Sequence, residues 1–235
     1  PSGTTESTDT LLSVAATAEL MSSVRALGVT LSTAIQGAWA LLLGRLTGRD
    51  DVVFGITTSG RPAELPGVET MVGLFINTLP IRVRLQPSLS AAELLKQIQE
   101  SQAELLGAQF VGLADIQRVS GLDTLFDTLL VVENYPLEAD SLQQPSARLR
   151  VANVAGNDTS HYPLGLVVIP GEQLRIRCDF DPARIPAVRA RAVLARLVRL
   201  LSTLATAPDT PAWRLDVLND SVRERVLQFD PAPPA

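Results

Sequence analysis

Apolar residues recur along this chain with two different spacings, and each spacing predicts one type of element. Four segments carry apolar residues every three or four positions, which is typical of helices: residues 17–27, 30–46, 90–106 and 186–205. Short apolar runs, or alternating apolar and polar residues, predict strands or extended segments at residues 11–16, 52–56, 74–81, 126–134, 149–154, 164–169, 174–180 and 213–218. Three long helices among six or seven strands in mixed order predict an α/β or α+β sandwich, with helices packed on a mixed sheet.

Several residues mark where the predicted helices begin and end. Thr30 suits the N-cap of the second helix, and Gly28 and Gly48 suit helix C-termini. Ser90 followed by Glu93 predicts a capping box, in which each side chain accepts a hydrogen bond from a backbone N–H that the first turn leaves free. Short helices are also expected near residues 113–118 and 219–229.

The stretch between residues 51 and 83 has the most distinctive pattern. Apolar runs at its two ends suit buried strands that are covered on both faces. The segment between them is rich in glycine and proline: Gly60, Pro62, Pro66, Gly67 and Gly73. That density predicts a shaped loop, and a loop held by two strands suits one wall of a binding site. The alternative is a surface crossover with no role.

Composition narrows the classes of function. The 235 residues are 46% hydrophobic and 19% charged, enough for one large core or two small ones. A net charge of −5 without long charge runs argues against nucleic acid as a partner. No apolar run reaches the roughly 18 residues that span a bilayer, so no membrane partner is expected. We expect a disordered tail at residues 1–10. The main domain is expected at residues 11–218, and the start of a linker at residues 219–235.

Chemically reactive residues are few. Cys178 is the only cysteine, which excludes a disulfide framework and a cysteine-based zinc site, and a reducing cytoplasm is the natural compartment. His161 is the only histidine, so no metal site is expected. Asp158, Ser160 and His161 are neighbours in sequence, but triads are assembled from separate parts of a fold, so we expect His161 to order a turn instead. The residues alone predict a domain without a self-sufficient active site.

Four segments resemble motifs of condensation domains from nonribosomal peptide synthetases, and they occur in that family's order. The most specific segment covers residues 59–80 and includes SGRP, LPGVE and MVGLFINTLP. The others lie at residues 38–48, 126–136 and 158–164. The resemblance extends from about residue 11 to about residue 230, and the tail resembles the linker that leads to an adenylation domain.

This resemblance implies a chloramphenicol-acetyltransferase-like two-layer sandwich, one lobe of a two-lobed domain. Condensation domains carry a His-His-x-x-x-Asp-Gly motif in the N-terminal lobe, at the floor of a channel between the lobes. The present chain lacks the motif and has about half the length of such a domain, so it resembles the C-terminal lobe, inactive by itself. The family's reaction is amide formation, in which an aminoacyl amine on a downstream carrier attacks an upstream peptidyl thioester.

The resemblance also implies the partners. They are the N-terminal lobe, the upstream and downstream peptidyl carrier domains, and an adjacent adenylation domain. No cofactor is expected to bind directly, because the phosphopantetheine arms of the carrier domains hold the substrates.

The site residues that the resemblance implies lie in the loop and at its end. Asn77 would line the channel and hold a phosphopantetheine arm or a substrate carbonyl; alternatively, its amide caps the strand end through backbone hydrogen bonds. Ser59 and Arg61 would line the same wall, or Arg61 would pair with Glu64 or Glu69 to fix the loop.

A second group of residues would support the site. His161, Tyr162 and Asp158 lie in the last family motif, where a structural role is expected. Two departures from the family pattern leave the handling of substrate open: Ala108 stands where many relatives have histidine, and Asn157 stands where they have arginine. One alternative function is a catalytically silent module that recruits assembly-line partners. Another is a stand-alone acyltransferase for coenzyme A esters, which the lone histidine disfavours.

Overall fold

The computed structural model of the chain describes residues 5–61, 65–133 and 161–218, without the Glu69 side chain. The described strands are β1 (Glu6–Leu11), β2 (Asp51–Thr58), β3 (Asn77–Arg84), β4 (Thr128–Val132), β5 (Leu164–Ile169) and β6 (Arg175–Phe180). The described helices are α1 (Val14–Leu27), α2 (Leu31–Thr47), α3 (Ala91–Leu105), α4 (Leu113–Ser120) and α5 (Ala187–Thr206). Short 3₁₀ turns lie at Val68–Thr70, Leu106–Ala108 and Ala212–Arg214.

The strands form one six-stranded mixed sheet in the order β1-β6-β5-β4-β2-β3. β4 runs parallel to its neighbours β2 and β5, and the other neighbouring pairs are antiparallel. The predicted mixed sheet is therefore confirmed, including the hairpin of β5 and β6.

Helices cover one face of this sheet and form the second layer. α2 is apolar nearly all the way round, so it lies inside the domain, where Trp39 is fully buried. Gly37 allows α3 to approach α2 closely, since a Cβ atom there would lie 2.4 Å from Cδ2 of Leu95. The alternation in β6 places Ile176 and Cys178 in the core that the helices and the sheet share.

The predicted helix caps are confirmed. The Thr30 hydroxyl accepts a hydrogen bond from the Thr33 N–H at 3.0 Å, and Gly28 and Gly48 both have φ of 68°. The Ser90 hydroxyl accepts from the Glu93 N–H at 3.2 Å, and the Glu93 carboxylate accepts from the Ser90 N–H at 2.8 Å. The hydrogen bonds from Ser90 lower the pKa of Glu93. This stabilisation is therefore present above the usual pKa of glutamate and is lost as the pH falls through the lowered value.

The prediction of a disordered tail at residues 1–10 is wrong for the part that the structure describes. Glu6–Leu11 forms β1, whose pairing with β6 runs from Glu6 opposite Phe180 to Leu11 opposite Arg175. Asp9 also forms an ion pair with Arg175 at 3.0 Å. Small polar residues suit an edge strand because backbone hydrogen bonds to the neighbouring strand hold it. Composition alone does not reveal that β6 is this neighbour.

Two predicted extended segments are wrong in part, at residues 14–16 of 11–16 and at residues 213–214 of 213–218. The Ser13 hydroxyl caps α1, which begins at Val14, so residues 14–16 are helical. Ala212–Arg214 is a 3₁₀ turn, where a strand or extended segment was expected. The strand predicted at 149–154 and the helix predicted at 219–229 lie outside the described residues.

Replacing Ser90 with alanine is expected to lower the free energy of unfolding by about 1 kcal/mol, because the Glu93 N–H loses its acceptor. Urea denaturation measures the change. Ser101→Ala in the same helix is the matched control, since Ser101 is exposed, and it should stay within about 0.5 kcal/mol of the wild type. Equal stabilities of the two variants would contradict the contribution of the capping box.

Candidate functional site

The loop between β2 and β3 lies further towards the C-terminus than the sequence predicts. β2 and β3 pair from Asp51 opposite Arg84 to Thr58 opposite Asn77, and both strands stop there. Residues 74–76 therefore lie in the loop, although their apolar character predicts a buried strand. Leu74 is 91% exposed and Ile76 is 53% exposed, so this part of the prediction is wrong.

Arg61 fixes the shape of this loop. Its guanidinium donates hydrogen bonds to the carbonyl oxygens of Val68 and Met71, the latter at 3.0 Å. The same guanidinium lies 4.4 Å from the centre of the Phe75 ring, in a cation–π contact. In the described residues Arg61 thus fixes the loop through backbone carbonyls and a ring, and its pairing with Glu64 or Glu69 stays a prediction. Glu64 lies outside the described residues, as does the Glu69 side chain.

Gly60 brings the two ends of the loop together. It adopts the left-handed conformation with φ of 59°, which favours glycine. A Cβ atom there would lie 1.7 Å from the carbonyl oxygen of Phe75, so no larger residue fits this approach. Ser59, which precedes it, is exposed, and its hydroxyl accepts a hydrogen bond from the Arg61 N–H at 3.5 Å.

Asn77 joins the loop to the connection between α3 and α4. Its side-chain NH₂ donates to the carbonyl oxygens of Gln109 at 2.8 Å and Val111 at 2.9 Å. Its side-chain oxygen accepts from the Thr78 N–H at 2.9 Å. The backbone hydrogen bonds of the strand-end alternative are therefore present. Both amide protons are used, so Asn77 retains only acceptor capacity for a ligand. A role in lining a channel stays a prediction, as it does for Ser59 and Arg61.

These contacts bring together two segments that both carry exposed apolar side chains. We call these side chains the apolar loop surface; it comprises Met71, Val72, Leu74 and Ile76 from the loop, and Phe110 and Val111 from the α3–α4 connection. Sequence reasoning missed residues 110 and 111. The sequence does mark this position: two apolar residues follow the end of a predicted helix and belong to no helical or strand periodicity that predicts burial.

Tyr162 packs against the segment that leads into β4. Its ring stacks on Phe126 with centroids 5.2 Å apart. Gly55 in β2 makes room for Phe126, because a Cβ atom there would lie 2.3 Å from the ring. Burial raises the pKa of the Tyr162 phenol. The stacking supports a structural role for Tyr162, which stays a prediction.

Of the remaining predicted residues, the structure describes only His161 and Cys178. His161 is exposed shortly before β5. Asp158, Ser160 and Asn157 lie outside the described residues. Cys178 is fully buried, and burial raises the pKa of its thiol to about 12.

The described residues contain no grouping of three or more His, Cys, Asp or Glu side chains that could hold a metal ion. A groove of about 50 Å³ lies between β3 and α3, lined among others by Ile81, Arg84 and Leu105. Substrate pockets usually measure about 300–1,000 Å³, so this groove is too small for one. No single helix in the described ranges is long and apolar enough to cross a membrane; α1 and α2 pass only as a pair, with a 101° bend between them.

The chain matches a known family over most of its length. The family model for the condensation domain matches residues 2–227. Chondramide synthase cmdD from Chondromyces crocatus is 43% identical over 202 residues, which cover 85% of this chain and 5% of that protein. Vanchrobactin synthetase VabF from Vibrio anguillarum is 39% identical over 215 residues, which cover 90% of this chain and 8% of that protein. The chain therefore spans only a small part of these relatives.

Solved structures share the fold. The first condensation domain of the calcium-dependent antibiotic synthetase, in complex with a substrate analogue, matches with a TM-score of 0.73 and 20% identity, over 93% of this chain and 47% of that one. The X-domain in complex with OxyB from teicoplanin biosynthesis matches with a TM-score of 0.76 and 22% identity, over 94% of this chain and 50% of that one. The predicted chloramphenicol-acetyltransferase-like sandwich is confirmed.

Substitutions at Asn77 test the link between the loop and the α3–α4 connection. Asn77→Ala removes three hydrogen bonds and is expected to lower the free energy of unfolding by about 2 kcal/mol, measured by urea denaturation. Asn77→Asp should be at least as destabilising, because it sets a carboxylate oxygen against two carbonyl oxygens. Gln97→Ala removes an exposed amide and is the control. Wild-type stability of Asn77→Asp would show that the two donated hydrogen bonds contribute nothing.

Proposed function

Because the chain belongs to the condensation-domain family, we propose that it is the C-terminal lobe of a nonribosomal peptide synthetase condensation domain. In this role it forms one wall of the channel in which an amide bond is made, and it is inactive without the N-terminal lobe. The whole domain would work in the cytoplasm. Each carrier domain would deliver its substrate on a phosphopantetheine arm, and an adenylation domain would follow in the assembly line.

The proposed reaction forms one C–N bond and breaks one C–S bond. The amine of the downstream aminoacyl thioester attacks the carbonyl carbon of the upstream thioester. The upstream phosphopantetheine leaves as a thiol, which takes up the proton that the amine loses. A neutral imidazole is suited to handling that proton near pH 7. The described residues of the loop include no imidazole. His161, the only histidine of the chain, is exposed and lies before β5. The base would therefore come from the histidine motif of the N-terminal lobe.

The apolar loop surface is the observation that carries the proposal. Val72 is fully exposed and Leu74 is nearly so. Burying a Val or Leu side chain contributes about 1.5–3 kcal/mol, so a set of exposed aliphatic side chains on one loop marks an interaction surface. The N-terminal lobe is the occupant we propose, because this chain matches only 47% of the solved condensation-domain chain. The other half of that chain is available to cover the surface.

In the proposed channel wall, Asn77 has only its side-chain oxygen left for a ligand. Its NH₂ group already donates to two carbonyl oxygens, so a phosphopantetheine arm would meet only its side-chain oxygen. An N–H group of the arm's amides would be the complementary donor. Ser59 remains exposed beside the loop and offers a hydroxyl to the same wall.

Amide formation by a two-lobe protein tests the proposed function. An N-terminal lobe with the His-His-x-x-x-Asp-Gly motif is joined to this chain, and product formed between two loaded carrier domains is measured by mass spectrometry. We expect product from the two-lobe protein and none from this chain alone. The control replaces the second motif histidine with alanine and should reduce product formation by about two orders of magnitude or more. A folded two-lobe protein that forms no product would contradict the peptide-forming role.

Polar substitution of the surface tests the contact between the lobes. Val72→Ser combined with Leu74→Ser should slow amide formation by the two-lobe protein about tenfold or more, because two aliphatic groups leave the interface. The same change should leave the stability of this chain alone within about 0.5 kcal/mol, since both residues are exposed there. Val119→Ser is the control: Val119 is exposed on α4, outside the surface. Unchanged activity of the double variant would contradict docking at this surface.

The second candidate is a catalytically silent module that binds assembly-line partners. One observation favours it: the X-domain, which shares this fold, was solved in complex with OxyB. A two-lobe protein that folds and binds carriers or other proteins of its assembly line, but forms no amide, would support this second function.

A further inference from the structure

Arg61 holds the loop at three points along its length. The two carbonyl oxygens that accept its hydrogen bonds belong to Val68 and Met71, and the ring under its guanidinium belongs to Phe75. Two further hydrogen bonds close the turn between these points, from the Thr70 N–H to the Gly67 carbonyl at 3.0 Å and from the Met71 N–H to the Val68 carbonyl at 3.3 Å. The described part of the loop therefore has a defined shape, although none of the described strands pairs with it.

The aliphatic side chains of Val72 and Leu74 are exposed on this fixed loop. Val72 and Leu74 lie between the last two fixed points, Met71 and Phe75. At the loop's other end, Gly60 packs so closely against the Phe75 carbonyl that a Cβ atom at Gly60 would lie 1.7 Å from the carbonyl oxygen. A flexible loop would turn these aliphatic groups onto its own core to remove them from water. With Arg61 in place, they remain exposed.

We propose that Arg61 is a positioning residue: it holds the loop in its docking shape before the N-terminal lobe arrives, and it does not contact substrate. This inference rests on the proposed function and adds to it how the lobe contact is prepared. Ordering a free loop costs backbone entropy, so fixing the loop beforehand favours docking.

Lysine cannot replace arginine in this role. Two carbonyl oxygens are engaged by different nitrogens of one planar guanidinium while its face lies on a ring. A lysine ammonium is a compact point charge that does not combine a fork of donors with stacking. Arg61→Lys therefore keeps the charge and removes the clamp, and Phe75→Leu removes only the stacking.

Hydrogen exchange of the loop in the 235-residue chain tests the clamp directly. In Arg61→Lys, exchange of the Thr70 and Met71 amides should become at least tenfold faster, while the amides of β5 and β6 keep their protection and show that the fold is intact. Phe75→Leu should give a smaller increase. Arg189→Lys is the matched control, because Arg189 is exposed on α5 and has no ion pair among the described residues; it should change nothing.

Kinetics of the two-lobe protein separate positioning from substrate contact. Arg61→Lys should lower kcat about tenfold with KM for the loaded carriers within about twofold, because fewer molecules have the loop docked. Unchanged loop exchange in Arg61→Lys would overturn the proposal, whether or not KM rises. Faster loop exchange with unchanged kcat would overturn it as well. If the wild-type two-lobe protein makes no amide, the proposed function fails, while the exchange experiment still decides whether Arg61 is the clamp.

Discussion

The backbone pairing of β2 with β3 determines where everything else in the site lies. The ladder joins the strands from Asp51 and Arg84 to Thr58 and Asn77, then stops. Beyond it, the chain returns from Thr58 to Asn77, and no strand of the described residues pairs with this return. Side chains from within and beside the loop supply hydrogen-bond partners instead, since unpaired backbone groups are costly when shielded from water.

Polar residues of the loop therefore fix its backbone, and apolar residues of the loop remain exposed. Arg61 and Asn77 bind carbonyl oxygens and fix the backbone, so their polar groups are largely used inside the chain itself. Val72 and Leu74 contribute nothing to the core of this chain, because they are exposed. The polar side chains of Arg61 and Asn77 thus shape the loop, and the exposed aliphatic side chains are available for a partner. This division suits the proposed role, in which the chain presents a surface and the base comes from elsewhere.

The rest of the described structure supports the loop. The largely buried helix α2 packs against the sheet and against α3, and Gly37 permits the close approach of Leu95. Phe126 packs over Gly55 in β2 and stacks on Tyr162, which ties the entry of β4 to that of β5. Both ends of the loop are anchored in paired strands. A loop on such a support keeps its position while its tip remains exposed.

The sequence by itself determined the local elements: helix periodicity, the caps at Thr30 and Ser90, and the alternation in β6 all depend on residues near one another in the chain. It also indicated the family, through ordered motifs. Only the tertiary structure decided that polar residues 6–11 form a strand, because β6 lies far away in sequence. Likewise, the apolar character of Leu74 predicts a core position. The pairing of β2 with β3 ends at Thr58 and Asn77, so Leu74 lies in the loop instead. The partners of Asn77, Gln109 and Val111, are also distant in sequence, so periodicity could not reveal them. Local patterns encode which conformation a segment favours, and burial depends on what long-range pairing places beside it.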